Sequence, residues 1–142
     1  MLSLRRPASA GRLLAQSVRR LYEKFSAENT REARGLRLLR DWVTPAQWNQ
    51  LETLGYFEVV GCDTGKRYRI YRGRMTNIYE IDEFGCLREG WCFVPFGFLA
   101  AGDVMLAQKI ALETSESAAL AVANRFLPRR LIHRDHGNVS WN

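Results

Sequence analysis

The chain has 142 residues, of which 46% are hydrophobic and 25% charged, proportions close to globular averages that exclude wholesale disorder and a membrane-embedded body. Its formal net charge of +6 is unevenly placed: residues 1–40 hold ten Lys and Arg against three acids, residues 41–124 seven against eleven, and residues 125–142 four against one. The most apolar run, Trp91 to Ala101, carries Pro95 and Gly97 and is shorter than the roughly 18 residues of a membrane-spanning helix.

In the first segment Arg5, Arg6, Arg12, Arg19 and Arg20 precede the first acid, Glu23, with serines interspersed. That is the composition of a mitochondrial presequence, which would send the protein to the matrix. The preferred reading is a retained basic arm on a protein of the cytoplasm or of a virion or other intracellular assembly. Leu14, Val18, Leu21 and Phe25 recur at helical spacing, and Ala33, Leu36 and Leu39 continue the stripe. One long amphipathic helix over about 12–41 is therefore predicted, projecting from the body and weakened at Gly35 by about 1 kcal/mol relative to alanine.

Thr44, Pro45, Gln47 and Gly55 predict a helix over 45–54, with an N-cap, a proline at the first helical position, a capping box and a glycine after the last turn. From Tyr56 the period changes to two, predicting strands over about 56–62, 67–73, 77–82 and 87–94, with turns at Asp63-Thr64-Gly65 and Asp82-Glu83-Phe84-Gly85. Asp103 is a candidate N-cap for a helix to about Glu113, and Thr114 or Ser115 for another over 116–126. The expected fold is α+β: a four-stranded antiparallel meander packed with short helices, preceded by the long N-terminal helix. The expected organisation is an arm over 1–43, a domain over 44–126 and a basic tail over 127–142. The expected core is Trp48, Leu51, Phe57, Val59, Ile70, Ile81, Trp91, Phe93, Leu106 and Ile110, with Met105 and Leu112 alongside.

The run Gly61-Cys62-Asp63-Thr64-Gly65-Lys66-Arg67-Tyr68-Arg69-Ile70, then Arg72-Gly73-Arg74, Asn77-Ile78, Asp82 with Gly85, Cys92 with Pro95, and Gly102-Asp103-Val104-Met105-Leu106-Ala107-Gln108-Lys109 to Leu112-Glu113 resembles a family of small uncharacterised bacterial and phage proteins. The resemblance covers roughly residues 44–126 and implies no activity and no cofactor.

Four groups of residues bear on chemistry. Asp63-Thr64-Gly65 matches the triplet of aspartic proteases, in which a homodimer shares a proton between two aspartates, but a turn stabilised by side-chain capping uses the same letters. His133, Asp135 and His136 are ligand types for zinc, although three ligands in a short tail do not define a site. Cys62, Cys86 and Cys92 are an odd number without CxxC spacing, which supports neither a disulfide framework nor a complete zinc site. Alternation along 67–74 puts Arg67, Arg69 and Tyr71 on one sheet face. Such a face suits phosphate contact and base stacking, or pairing with Glu58, Glu80 and Asp82 across strands.

These residues point first to a non-enzymatic structural or interaction protein held in a larger assembly, a virion or ribonucleoprotein for example. Leu14, Val18, Leu21 and Phe25 would dock on a protein partner, and Arg5, Arg6, Arg12, Arg19, Arg20, Arg129 and Arg130 would meet an acidic surface. The second reading is direct binding of DNA or RNA by those arms together with Arg67, Arg69 and Tyr71. A small enzyme, the Asp63 dimer or the tail metal site, is the third.

Overall fold

The computed structural model describes residues 8–128. The first break in the chain is made by Thr30: its hydroxyl donates to the Ala27 carbonyl at 3.1 Å and accepts the Ala33 N–H at 3.2 Å. One side chain thus ends a helix and caps the next. The long helix expected over 12–41 is consequently two, α1 (Ala8–Glu28) and α2 (Arg31–Trp42). The second half does not project, because Leu39 and Val43 at the end of α2 are buried in the core.

Helix α3 (Pro45–Leu54) follows its sequence signals closely. The Gln47 N–H donates to the Thr44 hydroxyl at 3.1 Å, the Thr44 N–H donates to the Gln47 side chain at 3.0 Å, and Gly55 ends the helix at φ 78°. Strands β1 (Tyr56–Val60), β2 (Arg67–Tyr71), β3 (Ile78–Ile81) and β4 (Leu87–Cys92) then form an antiparallel meander. In β2 the burial alternates as the period requires, with Tyr68 and Ile70 inward and Arg67, Arg69 and Tyr71 outward.

The C-terminal half departs from expectation in three ways. The two helices expected over 103–113 and 116–126 are one element, α4 (Ala101–Val122), broken only at Ser115 (φ −153°, ψ 43°). Its N-cap is Ala100 rather than Asp103, and the missing side-chain cap is supplied from α2, where Glu32 accepts the Ala101 N–H at 3.1 Å. Residues Asn124–Phe126 form β5, so the sheet has five strands in the order β1-β2-β3-β4-β5. Helical spacing over 116–126 does not reveal that β4 presents an unpaired edge, whose backbone groups recruit this segment.

Helices α2, α3 and α4 bury Leu39, Leu51, Met105 and Leu112 against Phe57, Val59, Tyr68, Ile70 and Ile78 of the sheet. Trp48, Trp91 and Phe93 pack half-buried at the margin. Ile110, expected in the core, is 43% exposed, on the side of α4 turned from the sheet. At the other edge of the sheet, α3 shields β1: Gln47 donates to the Glu58 carbonyl at 2.8 Å, and the Glu58 N–H donates to Gln50 at 3.0 Å. Two amides stand in for the neighbouring strand that β1 lacks.

Candidate functional site

The loop joining β1 to β2 holds the Asp63-Thr64-Gly65 triplet, and Glu116 lies beneath it, 0% exposed. The Glu116 carboxylate accepts the N–H groups of Asp63 and Thr64 at 2.8 and 2.9 Å, the Thr64 hydroxyl at 2.5 Å and the Tyr68 hydroxyl at 2.6 Å. Asp63 in turn accepts the Ser117 N–H at 2.8 Å, capping the turn of α4 that follows the Ser115 break. Burial alone would push the Glu116 carboxyl up, but the bonds from Thr64, Tyr68 and the loop backbone outweigh it and hold the group below its ordinary range. The Ser117 side chain and N–H hold Asp63 below the usual carboxylate range as well.

Cys62, Asp63 and Glu116 place one ligand atom each within 4.8 Å of one another, the one such grouping among the described residues. Its electrostatics favour an anion already satisfied by donors: four N–H and O–H dipoles occupy the lone pairs that a cation would need. The triplet therefore acts as a latch between the β1–β2 loop and α4. Asp63 is bound to the backbone of α4 rather than held ready for proton transfer.

On the outer face of the sheet, Glu58 sits between the two arginines of β2. Arg67 lies 2.5 Å and Arg69 3.0 Å from its carboxylate oxygens. Burial raises the Glu58 carboxyl while both guanidiniums lower it further, leaving it below its ordinary range. Arg69 also stacks over Tyr56 at 4.6 Å. From there an aromatic ladder crosses the sheet: Tyr56 to Tyr71 at 5.0 Å, Tyr71 to Tyr79 at 5.4 Å and Tyr79 to Phe126 at 5.4 Å. Phe126 reaches Tyr79 across Gly90, its partner in β4. Arg67, Arg69 and Tyr71 are thus brought together on one face, with both guanidiniums sharing the one Glu58 carboxylate and the Tyr71 ring tilted against Tyr56 and edge-on to Tyr79, the geometry of cross-strand stabilisation.

The N-terminal helices present a different surface. In α1 Val18, Leu21 and Tyr22 are 62%, 68% and 71% exposed, and Arg19 pairs with Glu23 in solvent at 2.9 Å. Leu14, Phe25 and Arg12 belong to α1 by their backbone. Arg5, Arg6, Arg129, Arg130, His133, Asp135 and His136 lie outside the described residues. Between α2 and α3 runs an open groove of about 390 Å³ lined by Ala33, Leu36, Arg37, Arg40 and Trp48. The α2 residues follow i, i+3, i+4, i+7 spacing, legible in sequence as one helix face. Their pairing with Trp48 across the groove is a tertiary fact.

A buried amide pair also escaped the sequence. Asn77 and Gln108 exchange two hydrogen bonds of 2.9 Å, and Gln108 donates further to the Phe93 carbonyl at 3.1 Å. They tie the β2–β3 and β4–α4 connections to α4, and each polar atom has a partner, as burial demands. No helix among the described residues is long and apolar enough to cross a membrane. No family model, curated protein or solved structure matches the chain, so the reading of function rests on these surfaces.

Proposed function

We propose that the chain is a non-catalytic interaction protein, an α+β body attached to a larger assembly through α1. The observation that carries this reading is the exposure of Val18, Leu21 and Tyr22 on one helix, a row of apolar side chains that gains from burial against a protein partner. Each large apolar side chain that becomes fully buried there contributes about 1.5–3 kcal/mol. The basic residues beside that row, Arg19, Arg20 and Lys24, favour a partner whose groove is rimmed by carboxylates. A virion or ribonucleoprotein is the kind of assembly that such a helix serves.

The test is co-fractionation of the intact protein with its assembly from native cells. Val18→Asp combined with Leu21→Asp puts two carboxylates into the apolar contact, and the variant is expected to move from the heavy fractions to the free protein. Retention of the double variant in the heavy fractions, with its fold intact by circular dichroism, removes α1 as the docking element.

A further inference from the structure

We propose that residues 116–127 form a strap that opens as one unit about Ser115 while the rest of the body stays folded, with the β1–β2 loop as its clasp and β4 as the edge it covers. The inference concerns the body alone and stands or falls apart from the docking role of α1. Before the break at Ser115, α4 is an anchored helix that buries Val104, Met105, Leu106, Gln108 and Leu112. After the break it buries only Glu116 and Ala119. Leu120 packs at the margin of the core, and Val122 and Leu127 are 78% and 85% exposed. A segment with so little apolar surface against the core separates before the core does.

The strap is held by polar bonds at one end and by a short strand at the other. A break in a helix leaves backbone groups without intrahelical partners, and the β1–β2 loop serves them on both sides of Ser115. The Cys62 N–H donates to the Leu112 carbonyl at 3.0 Å, the Glu116 N–H donates to the Cys62 sulfur at 3.4 Å, and the Ser117 N–H donates to Asp63. Glu116 in return accepts the donors of Asp63 and Thr64. Each of these bonds is exchanged for one to water when the clasp parts. At the far end β5 pairs with Gly90, Trp91 and Cys92, and the Phe126 ring fills the space that a Cβ on Gly90 would take. Arg125 pairs with Glu89 and lies over the Trp91 ring at 5.3 Å. The Trp91 Nε1 is buried with no hydrogen-bond partner among the described residues, a cost to the closed state that is relieved when the Arg125 cover lifts and water reaches the indole. Opening bares the backbone of β4, at the side of the sheet opposite the edge that α3 shields.

Native-state hydrogen exchange of the full chain, followed by NMR, reads the opening amide by amide. The N–H groups of residues 118–126, and those of β4 that bond β5, are expected to exchange through one shared opening, at least about tenfold faster than the slowest amides of β2. Ile70→Val weakens the core without touching the strap, so it should speed the β2 amides several-fold and leave the strap unchanged. Glu116→Gln weakens the clasp and should speed the strap. Asn124→Cys places a thiol opposite Cys92, its partner in the register. Once oxidised, that variant should slow the strap amides toward the rate of β2, and reduction should restore them. Strap amides as slow as those of β2, or speeded by Ile70→Val by the same factor, overturn the proposal, because the segment then opens only with the whole body. Rates graded from Phe126 back toward Glu116 overturn it in favour of end fraying.

Discussion

Gly35 and Gly102 meet where α2 crosses α4, and the two helices touch there backbone to backbone: a Cβ on Gly102 would collide with the Gly35 carbonyl and the Leu36 nitrogen. A Cβ on Gly35 would meet the Ala100 Cβ at 2.8 Å. Read locally, Gly35 is a weak point in a helix. In the fold it permits the closest packing of the N-terminal half against the body.

Gly102→Ala is accordingly expected to destabilise the protein by about 1–3 kcal/mol, the cost of overpacking, although alanine is the better helix former. The denaturant midpoint measures it. An unchanged or raised midpoint would show that α2 and α4 separate freely at the crossing.

Replacing Glu116 by glutamine removes the charge that gathers four donors, and the expected loss is about 2–3 kcal/mol. Tyr68→Phe removes one of those bonds and should cost less, about 1–2 kcal/mol. The same reasoning gives Gly61 its role, since a Cβ there would overlap the Glu116 carboxylate. Thermal unfolding of the three variants, Gly61→Ala included, is expected to show all of them destabilised.

Acid should reveal the same latch. The folded carboxyls of Glu116 and Glu58 lie below their ordinary value of 4.5, so on acidification the unfolded chain takes up protons before the folded one does. The stability these groups contribute is complete above that value and is lost as pH falls through the folded pKa values. Urea midpoints recorded from about pH 6 down to about pH 3 should decline over the lower part of that range, and less steeply in Glu116→Gln.

Gln47→Ala together with Gln50→Ala strips β1 of the two amides that satisfy the backbone of Glu58. A stability loss of about 1–3 kcal/mol is expected, together with faster aggregation on warming, since a bare strand edge pairs with other chains. Light scattering during a thermal ramp records both effects. A monodisperse variant with unchanged melting would show that water serves the edge equally well.

Arg19→Gln with Arg20→Gln tests recruitment rather than docking. These side chains are exposed, and their removal should change stability by less than about 0.5 kcal/mol. Attachment to the assembly should weaken at low ionic strength and differ little from the unmodified protein at high salt, where the Debye length is short.

The sequence by itself determined whatever is decided within a few residues. Thr44, Pro45, Gln47 and Gly55 fixed α3 because capping geometry is local. The alternation of Arg67, Tyr68, Arg69 and Ile70 fixed which side chains of β2 face inward, because successive strand residues point to opposite faces. The cap at Thr30 is local too, and Glu28 and Asn29 interrupt the stripe between Phe25 and Ala33, but periodicity does not register which hydroxyl takes an orphan N–H. Tertiary structure decided the rest. Glu116, forty-eight residues from Tyr68, became a buried carboxylate because a distant loop brought it three donors and β2 a fourth, and Asn124–Phe126 became a strand because β4 offered an unpaired edge. Hydrogen bonds of that kind are settled by which surfaces the packed core brings together, and no spacing along the chain records them.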